Sequence, residues 1–287
     1  MTVTLRAAGP RVIRAFIRYV PPRSRGIQLA HLWHRHMPAP RHTLTSREAS
    51  GLRLRCDLND PLARILFYRG WFERRNDRFA RWWLGPGDAY LDVGAYIGAT
   101  ISVAWEVVGQ DGLVVGVEAD ARTFGKLAAA VADSGHGNVI LHAVGIAGVR
   151  GFTRLEVAAH HDASCNSLVL DDAGTVPVVP LDALAGARHY RLVKVDVEGF
   201  EPLVIAGATK LLGERRADAV LIELNPAALE RSGFAARDVA YPLEQHGYDC
   251  HLIAPDGSLA PGRFATDLAF EDFVWVARAG KTELRDA

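Results

Sequence analysis

"AYLDVGAYIG" (Ala89–Gly98) decides the fold. An apolar run broken only by Asp92 ends at a glycine, the pattern of a buried strand that stops at a tight turn. A helix is expected to follow over Gly98–Val108. Downstream the same alternation repeats. "LVVGVEAD" (113–120) gives a second strand and Arg122–Ser134 a second helix. "NVILHAV" (138–144) gives a third strand and "RLVKVDVEG" (191–199) a fourth, with a helix over Pro202–Leu212. "AVLIEL" (219–224), a helix over Ala236–His246, "YDCHLI" (248–253) and "FVWVAR" (273–278) complete the set. Strands alternating with helices imply an α/β fold with a mostly parallel sheet covered on both faces. Seven strands are expected, the last antiparallel and reached through a loop over 254–272. The segment 151–179 is β-rich and has room for an added hairpin or a substrate-facing insert.

This α/β part spans 86–287. Upstream, 51–85 is rich in aromatics and arginine, and Phe79, Trp82 and Trp83 fit one helical face, so an aromatic helical cover is expected. Residues 1–50 hold nine arginines and one acid, Glu48. Val12, Ile13, Phe16, Ile17 and Val20 form an apolar stripe at helical spacing, which suits a basic helix docking on the main domain or on a second copy. A homo-oligomer through these N-terminal helices is one expectation. A membrane-surface helix is the sharper alternative.

Composition narrows the classes. The chain has 287 residues, 49% hydrophobic and 23% charged, which excludes wholesale disorder. Thirty-three basic and 33 acidic residues cancel, so no overall field draws the chain to nucleic acid. Cys56, Cys165 and Cys250 form no CxxC pair, which argues against structural zinc and fits a reducing, cytoplasmic setting. Arginines interrupt every early apolar run, so neither an export signal nor a membrane span is expected.

In an open parallel sheet, ligands bind beyond the carboxyl ends of the strands, where strand order reverses. The polar residues expected there are Asp92, Gly94 and Gly98 from the first strand, Glu118, Ala119 and Asp120 from the second, and His142 from the third. The fourth contributes Lys194, Asp196 and Glu198, and the fifth Glu223 and Asn225. The glycine turn discriminates between cofactors. A GxGxxG loop lets its second glycine touch a pyrophosphate, but Tyr96 occupies that place here. Asp92 would repel a phosphate and suits a cationic ligand, such as the amino group of S-adenosylmethionine. Glu118 lies 24 residues after Gly94, placed to accept hydrogen bonds from two ribose hydroxyls. These features favour S-adenosylmethionine over NAD.

"LDVGAYIG", "VEAD", "VPLDAL" and above all "KVDVEGFE" (194–201) resemble the FkbM family of S-adenosylmethionine-dependent methyltransferases. The likeness covers roughly 90–255, and the upstream "GWFE" (70–73) resembles a short block of the same family. The resemblance implies a class I methyltransferase fold, Rossmann-like, and methyl transfer to a hydroxyl of a small molecule, a sugar or natural product. Asp92, Gly94, Tyr96 and Gly98 are expected at the methionine end and Glu118 and Ala119 at the ribose; His142, at the end of the third strand, either contacts the adenine by its side chain or backbone or is simply half-buried. Two positions depart from the family pattern: Tyr96, where asparagine is usual, and Ala119, where proline is usual.

In "KVDVEGFE", alternation sends Lys194, Asp196 and Glu198 to one face. Asp196 is the first candidate for the reaction centre, with Lys194 and Glu198 beside it. Three roles compete for Asp196. It is a general base, a counter-charge to the sulfonium, or a ligand, with Glu223 and Asn225, of Mg²⁺ or Ca²⁺. Glu201 is either a helix-start acid or part of the site. His161, in His160-His161-Asp162, is a weaker candidate for a substrate-side base, and Cys165 lacks an activating context. No GxSxG elbow or P-loop occurs. An NAD-type oxidoreductase, a non-catalytic cofactor-binding module and a nucleic-acid methyltransferase remain as alternatives.

Overall fold

A computed structural model describes residues 10–15, 17, 44–47, 50–71, 73–156, 167–170, 174–262, 264 and 271–278. His160, His161, Asp162, Cys165, Phe72 and most of the basic N-terminal segment lie outside these residues. The N-terminal part begins with β1 (Leu44–Arg47) and β2 (Arg53–Cys56), an antiparallel pair. Helices α1 (Pro61–Arg69) and α2 (Arg74–Trp83) follow. The α/β part opens with β3 (Ala89–Val93), α3 (Ala99–Val108), β4 (Leu113–Val117), α4 (Ala121–Ser134) and β5 (Val139–His142). An insert carries β6 (Gly145–Ile146), β7 (Gly151–Glu156), β8 (Ser167–Leu170) and β9 (Val176–Val179), leading to α5 (Leu181–Ala185). Then come β10 (Tyr190–Val195), α6 (Glu201–Ala206), α7 (Thr209–Gly213), β11 (Ala217–Leu224), α8 (Pro226–Arg231) and α9 (Arg237–Gln245). The last strands are β12 (Tyr248–Ile253), β13 (Leu259–Pro261) and β14 (Glu271–Ala277).

The main sheet has the order β13-β12-β14-β11-β10-β3-β4-β5. Strands β11, β10, β3, β4 and β5 pair in parallel, and β14 runs antiparallel to both β11 and β12. The antiparallel last strand matches the sequence expectation. The strand count does not: a three-residue strand, β13, forms inside the expected 254–272 loop and adds an eighth member on the β12 edge. The β-rich insert folds as its own four-stranded sheet, ordered β6-β9-β7-β8.

Strand alternation divides the core in two. Tyr90, Val114, Leu192, Leu221, Val274 and Val276 face one layer with α1, α2, α3 and α4. Leu91, Val115, Val193, Ile222, Phe273 and Trp275 face the other layer with α5, α6, α7 and α9. Residues 50–83 therefore share the first core rather than forming a separate body. Leu52, Leu54, Phe67, Tyr68 and Phe79 are buried in it. Trp83 stacks on Phe79 at 5.8 Å between ring centres, and its indole N–H donates to the Arg191 carbonyl of β10 at 2.8 Å. Trp82, expected on the same buried face, is 41% exposed, because the helix turns Asn76, Phe79, Ala80 and Trp83 inward. The stretch 51–85 is also less helical than expected, since β2 supplies part of it. Residues 10–15 are helical, Ile17 is buried in the same core, and the Arg14 guanidinium lies 4.6 Å from the Phe67 ring centre. This stretch docks on its own chain. Among the described residues, no helix is long and apolar enough to cross a membrane.

Candidate active site

Strand order reverses beside β3, so the chain leaves β3 and β10 at a crevice along the C-terminal rim. Gly94 has φ 91°, and a Cβ there would lie 1.8 Å from the Asp196 carbonyl oxygen. Glycine is thus required where the two strand ends meet, and the Asp196 N–H donates to the Val93 carbonyl at 2.9 Å. Tyr96 also adopts a left-handed backbone, φ 50°, which costs an aromatic residue energy. Two bonds hold it there. Its N–H donates to Glu118 Oε2 at 2.9 Å, and its phenol donates to Asp60. Asp60 also caps α1, accepting from the N–H groups of Leu62 and Ala63. The glycine turn is therefore tied to the N-terminal part of the chain, a link that sequence reading did not foresee.

Glu118 spans the crevice between β3 and β4. Besides Tyr96, it accepts from the Asp120 N–H at 2.8 Å, and its own N–H donates to the His142 carbonyl at 3.0 Å. Burial pushes its carboxyl up to about 7, against the lowering effect of those backbone donors. Asp120 serves as the N-cap of α4, accepting from Arg122 and Thr123. Ala119 lies between them, half-buried. His142 reaches this site by its backbone. Its side chain lines an open groove on the sheet face with Leu113, Val115, Ile140 and Tyr190. Asp92 is fully buried. One of its oxygens accepts from the Thr100 hydroxyl, and Oδ1 has no hydrogen-bond partner. Burial raises its pKa, and the nearby Lys194 works in the opposite direction.

Asp92, Lys194, Glu223 and Asp272 share the strand parity that faces α2. The Lys194 ammonium lies 2.7 Å from Asp196 Oδ2 and 3.8 Å from Glu73 Oε2. Burial opposes the charge on Lys194, but Asp196, Glu73 and Asp92 outweigh it and hold the lysine protonated. Glu73 accepts from the Asn76 amide at 2.9 Å. Single carboxylate oxygens of Glu73, Asp196 and Glu223 all fall within 4.8 Å of one another. Burial and the neighbouring acids Asp196 and Glu73 push Glu223 up to about 10. Burial likewise pushes Asp272 up to about 7.

Several expectations change here. Strand β10 ends at Val195, so alternation does not carry through to Glu198. Lys194 and Asp196 do meet, but Glu198 sits in the following turn at φ 50°. Glu201 does open α6 as a helix-start acid, and it is buried: its Oε1 accepts from the N–H groups of Gly199 at 3.0 Å and Val197 at 3.3 Å. Asn225 caps α8 through the Ala228 N–H at 3.2 Å, and the acid gathered with Asp196 and Glu223 is Glu73. The expected Mg²⁺ set of Asp196, Glu223 and Asn225 does not fit well, since its neutral oxygen is engaged as a cap and an ammonium already sits against Asp196. Glu73 and Asp272 were missed. The only signal was the "GWFE" block for Glu73, and nothing marked Asp272.

A family model described as "Methyltransferase FkbM domain" matches residues 92–250. No curated protein sequence matches the chain. Among solved structures, the chain is similar to a methyltransferase FkbM from Methylobacillus flagellatus KT. The identity is 17% and the TM-score 0.41, over 66% of this chain and 43% of that one, so the chain spans less than half that protein's length. It is similar to an S-adenosylmethionine-dependent O-methyltransferase from Thermotoga maritima at 10% identity and TM-score 0.41, covering 72% and 65% of the two chains. It is also similar to Aeropyrum pernix fibrillarin, solved with natively bound S-adenosyl-L-methionine, at 15% identity and TM-score 0.37, covering 67% of each chain. The family match takes in the glycine turn, Glu118, the Lys194–Glu201 segment and Glu223, and it spans more than half the chain: the protein belongs to the FkbM methyltransferase family.

Proposed function

We propose that the protein is an S-adenosylmethionine-dependent O-methyltransferase acting on a hydroxyl of a small molecule, of the sugar or natural-product class. The observation that carries the reading is Asp92, a buried acid with an unpartnered oxygen beside the glycine turn. An acid there repels a pyrophosphate and welcomes an ammonium, which separates this reading from a nicotinamide enzyme. Glu118 supports it, with a carboxylate held across the crevice and lone pairs left for ribose hydroxyls. When bound, the cofactor supplies an already activated methyl group.

The chain's own residues then align and deprotonate the acceptor. Asp92 and the turn through Gly98 hold the amino-acid end, and Ala119 lies beside the ribose contact. Asp196, with its side chain 22% exposed at the rim, accepts the hydroxyl proton, a contribution of about 10²–10⁴-fold. Lys194 fixes the carboxylate that does so, and Glu198 borders the acceptor from the strained turn. No step runs through a divalent ion. The neutral net charge of the chain favours a small acceptor over nucleic acid, and its cysteine usage favours the cytoplasm. The test is incubation with methyl-labelled S-adenosylmethionine and extracts of the producing organism. A labelled product that is an O-methyl ether supports the reading, and label on nitrogen, carbon or nucleic acid refutes it.

A further inference from the structure

Lysine is almost never buried unless it is paired, and Lys194 is only 3% exposed. It sits on the sheet face beneath α2, beside Asp92 on the neighbouring strand, in register with it. Its ammonium is 2.7 Å from Asp196 and 3.8 Å from Glu73. Glu73, Asp196 and Glu223 bring three carboxylate oxygens within 4.8 Å of one another, a spacing at which acids surround a hard divalent ion. Here a side-chain cation already stands among them. Asn225, the neutral oxygen that would complete an ion's shell, is turned to the backbone of α8.

We propose that Lys194 is the resident cation of this site: it stands in for a divalent metal among Glu73, Asp196 and Glu223 and holds Asp196 in position. Lys194 is then a positioning residue that acts through Asp196, and methyl transfer proceeds without added metal. Its low exposure fits the role, since a resident cation is not exchanged with solvent. The inference rests on the methyl-transfer reading only for the role of Asp196.

Manganese binding, followed by electron paramagnetic resonance on the full chain without cofactor or acceptor, tests it. Wild type is expected to leave the signal of free Mn²⁺ unchanged. Lys194→Met is expected to take up one ion per chain, with affinity raised by about 30-fold or more, the effect of removing one positive charge about 4 Å from a dication even in water. Adding Glu73→Gln to Lys194→Met should abolish that uptake, and Lys194→Arg should stay blind to the ion. The melting temperature of Lys194→Met should rise with Mn²⁺ while that of wild type does not. Stoichiometric binding by wild type that Glu73→Gln removes overturns the proposal. So does a folded Lys194→Met that stays blind. Should Lys194→Met not fold with or without the ion, wild type decides alone: blindness upholds the proposal and stoichiometric binding overturns it. No arm uses S-adenosylmethionine, so a failure of the cofactor reading shows up separately.

Discussion

At the proposed cofactor site, Glu118 is the residue at which acidity and affinity would meet. Burial pushes its carboxyl up to about 7, and a proton taken up there would remove an acceptor from the proposed ribose contact. Affinity for S-adenosylmethionine should therefore fall as pH drops through about 7, read by calorimetric titration on either side of that value. Glu118→Ala should weaken binding by about 1–3 kcal/mol and remove this pH dependence. Affinity that is unchanged would dismiss the ribose assignment. Asp196, the proposed base, is where binding and chemistry should separate. Asp196→Asn should lower turnover by about 10²–10⁴-fold while cofactor affinity barely moves. Equal loss of both would make Asp196 a structural or binding residue. Gly94→Ala tests the meeting of the strand ends, because its methyl group cannot fit beside the Asp196 carbonyl. It should impair folding, seen as a lowered melting temperature.

The turn between β10 and α6 is an element held from both ends. Val93 accepts from Asp196, Glu201 accepts from Val197 and Gly199, and Gly199 has no room for a Cβ against the Ala228 carbonyl, 2.5 Å away. Burial first of all raises the Glu201 carboxyl to about 7, above the ordinary value of 4.5. Between those values the folded chain binds the extra proton, so stability is greatest at low pH and declines as pH rises toward 7. Glu201→Gln keeps an acceptor for both N–H groups and removes that decline. Its melting temperature relative to wild type should therefore improve with rising pH. A difference that is independent of pH would show that Glu201 is not titrating in the folded chain. Sequence alternation could not see this element. It describes β10 up to Val195, and beyond that the direction of Glu198 is set by a left-handed backbone and a buried acid three residues on.

At the scale of the molecule, the N-terminal part is a wall of the site rather than an appendage. It supplies Asp60 to the glycine turn and Glu73 to Lys194, and it is fastened to β10 by Trp83. Trp83→Ala should cost about 3–5 kcal/mol through the lost aromatic packing. Cofactor affinity should suffer with it, because Tyr96 depends on Asp60. Thermal melting and titration of the same variant check both, and affinity untouched in a destabilised variant would sever that link. The parallel sheet, the reversed last strand and the acids at the strand ends were legible because each is local: a run of apolar residues, a glycine, an acid. Glu73 and Asp272 were not, since they join Lys194 only through tertiary contact, from the N-cap position of α2 and from an antiparallel strand. Asn225 misled for the same reason, as its amide answers a nearby helix end and not the site. The most direct measurement is calorimetric titration of the full chain with S-adenosylmethionine and, separately, with NAD. One S-adenosylmethionine per chain is expected, displaced by S-adenosylhomocysteine, with no uptake of NAD; tight NAD binding with no response to S-adenosylmethionine would overturn the cofactor assignment.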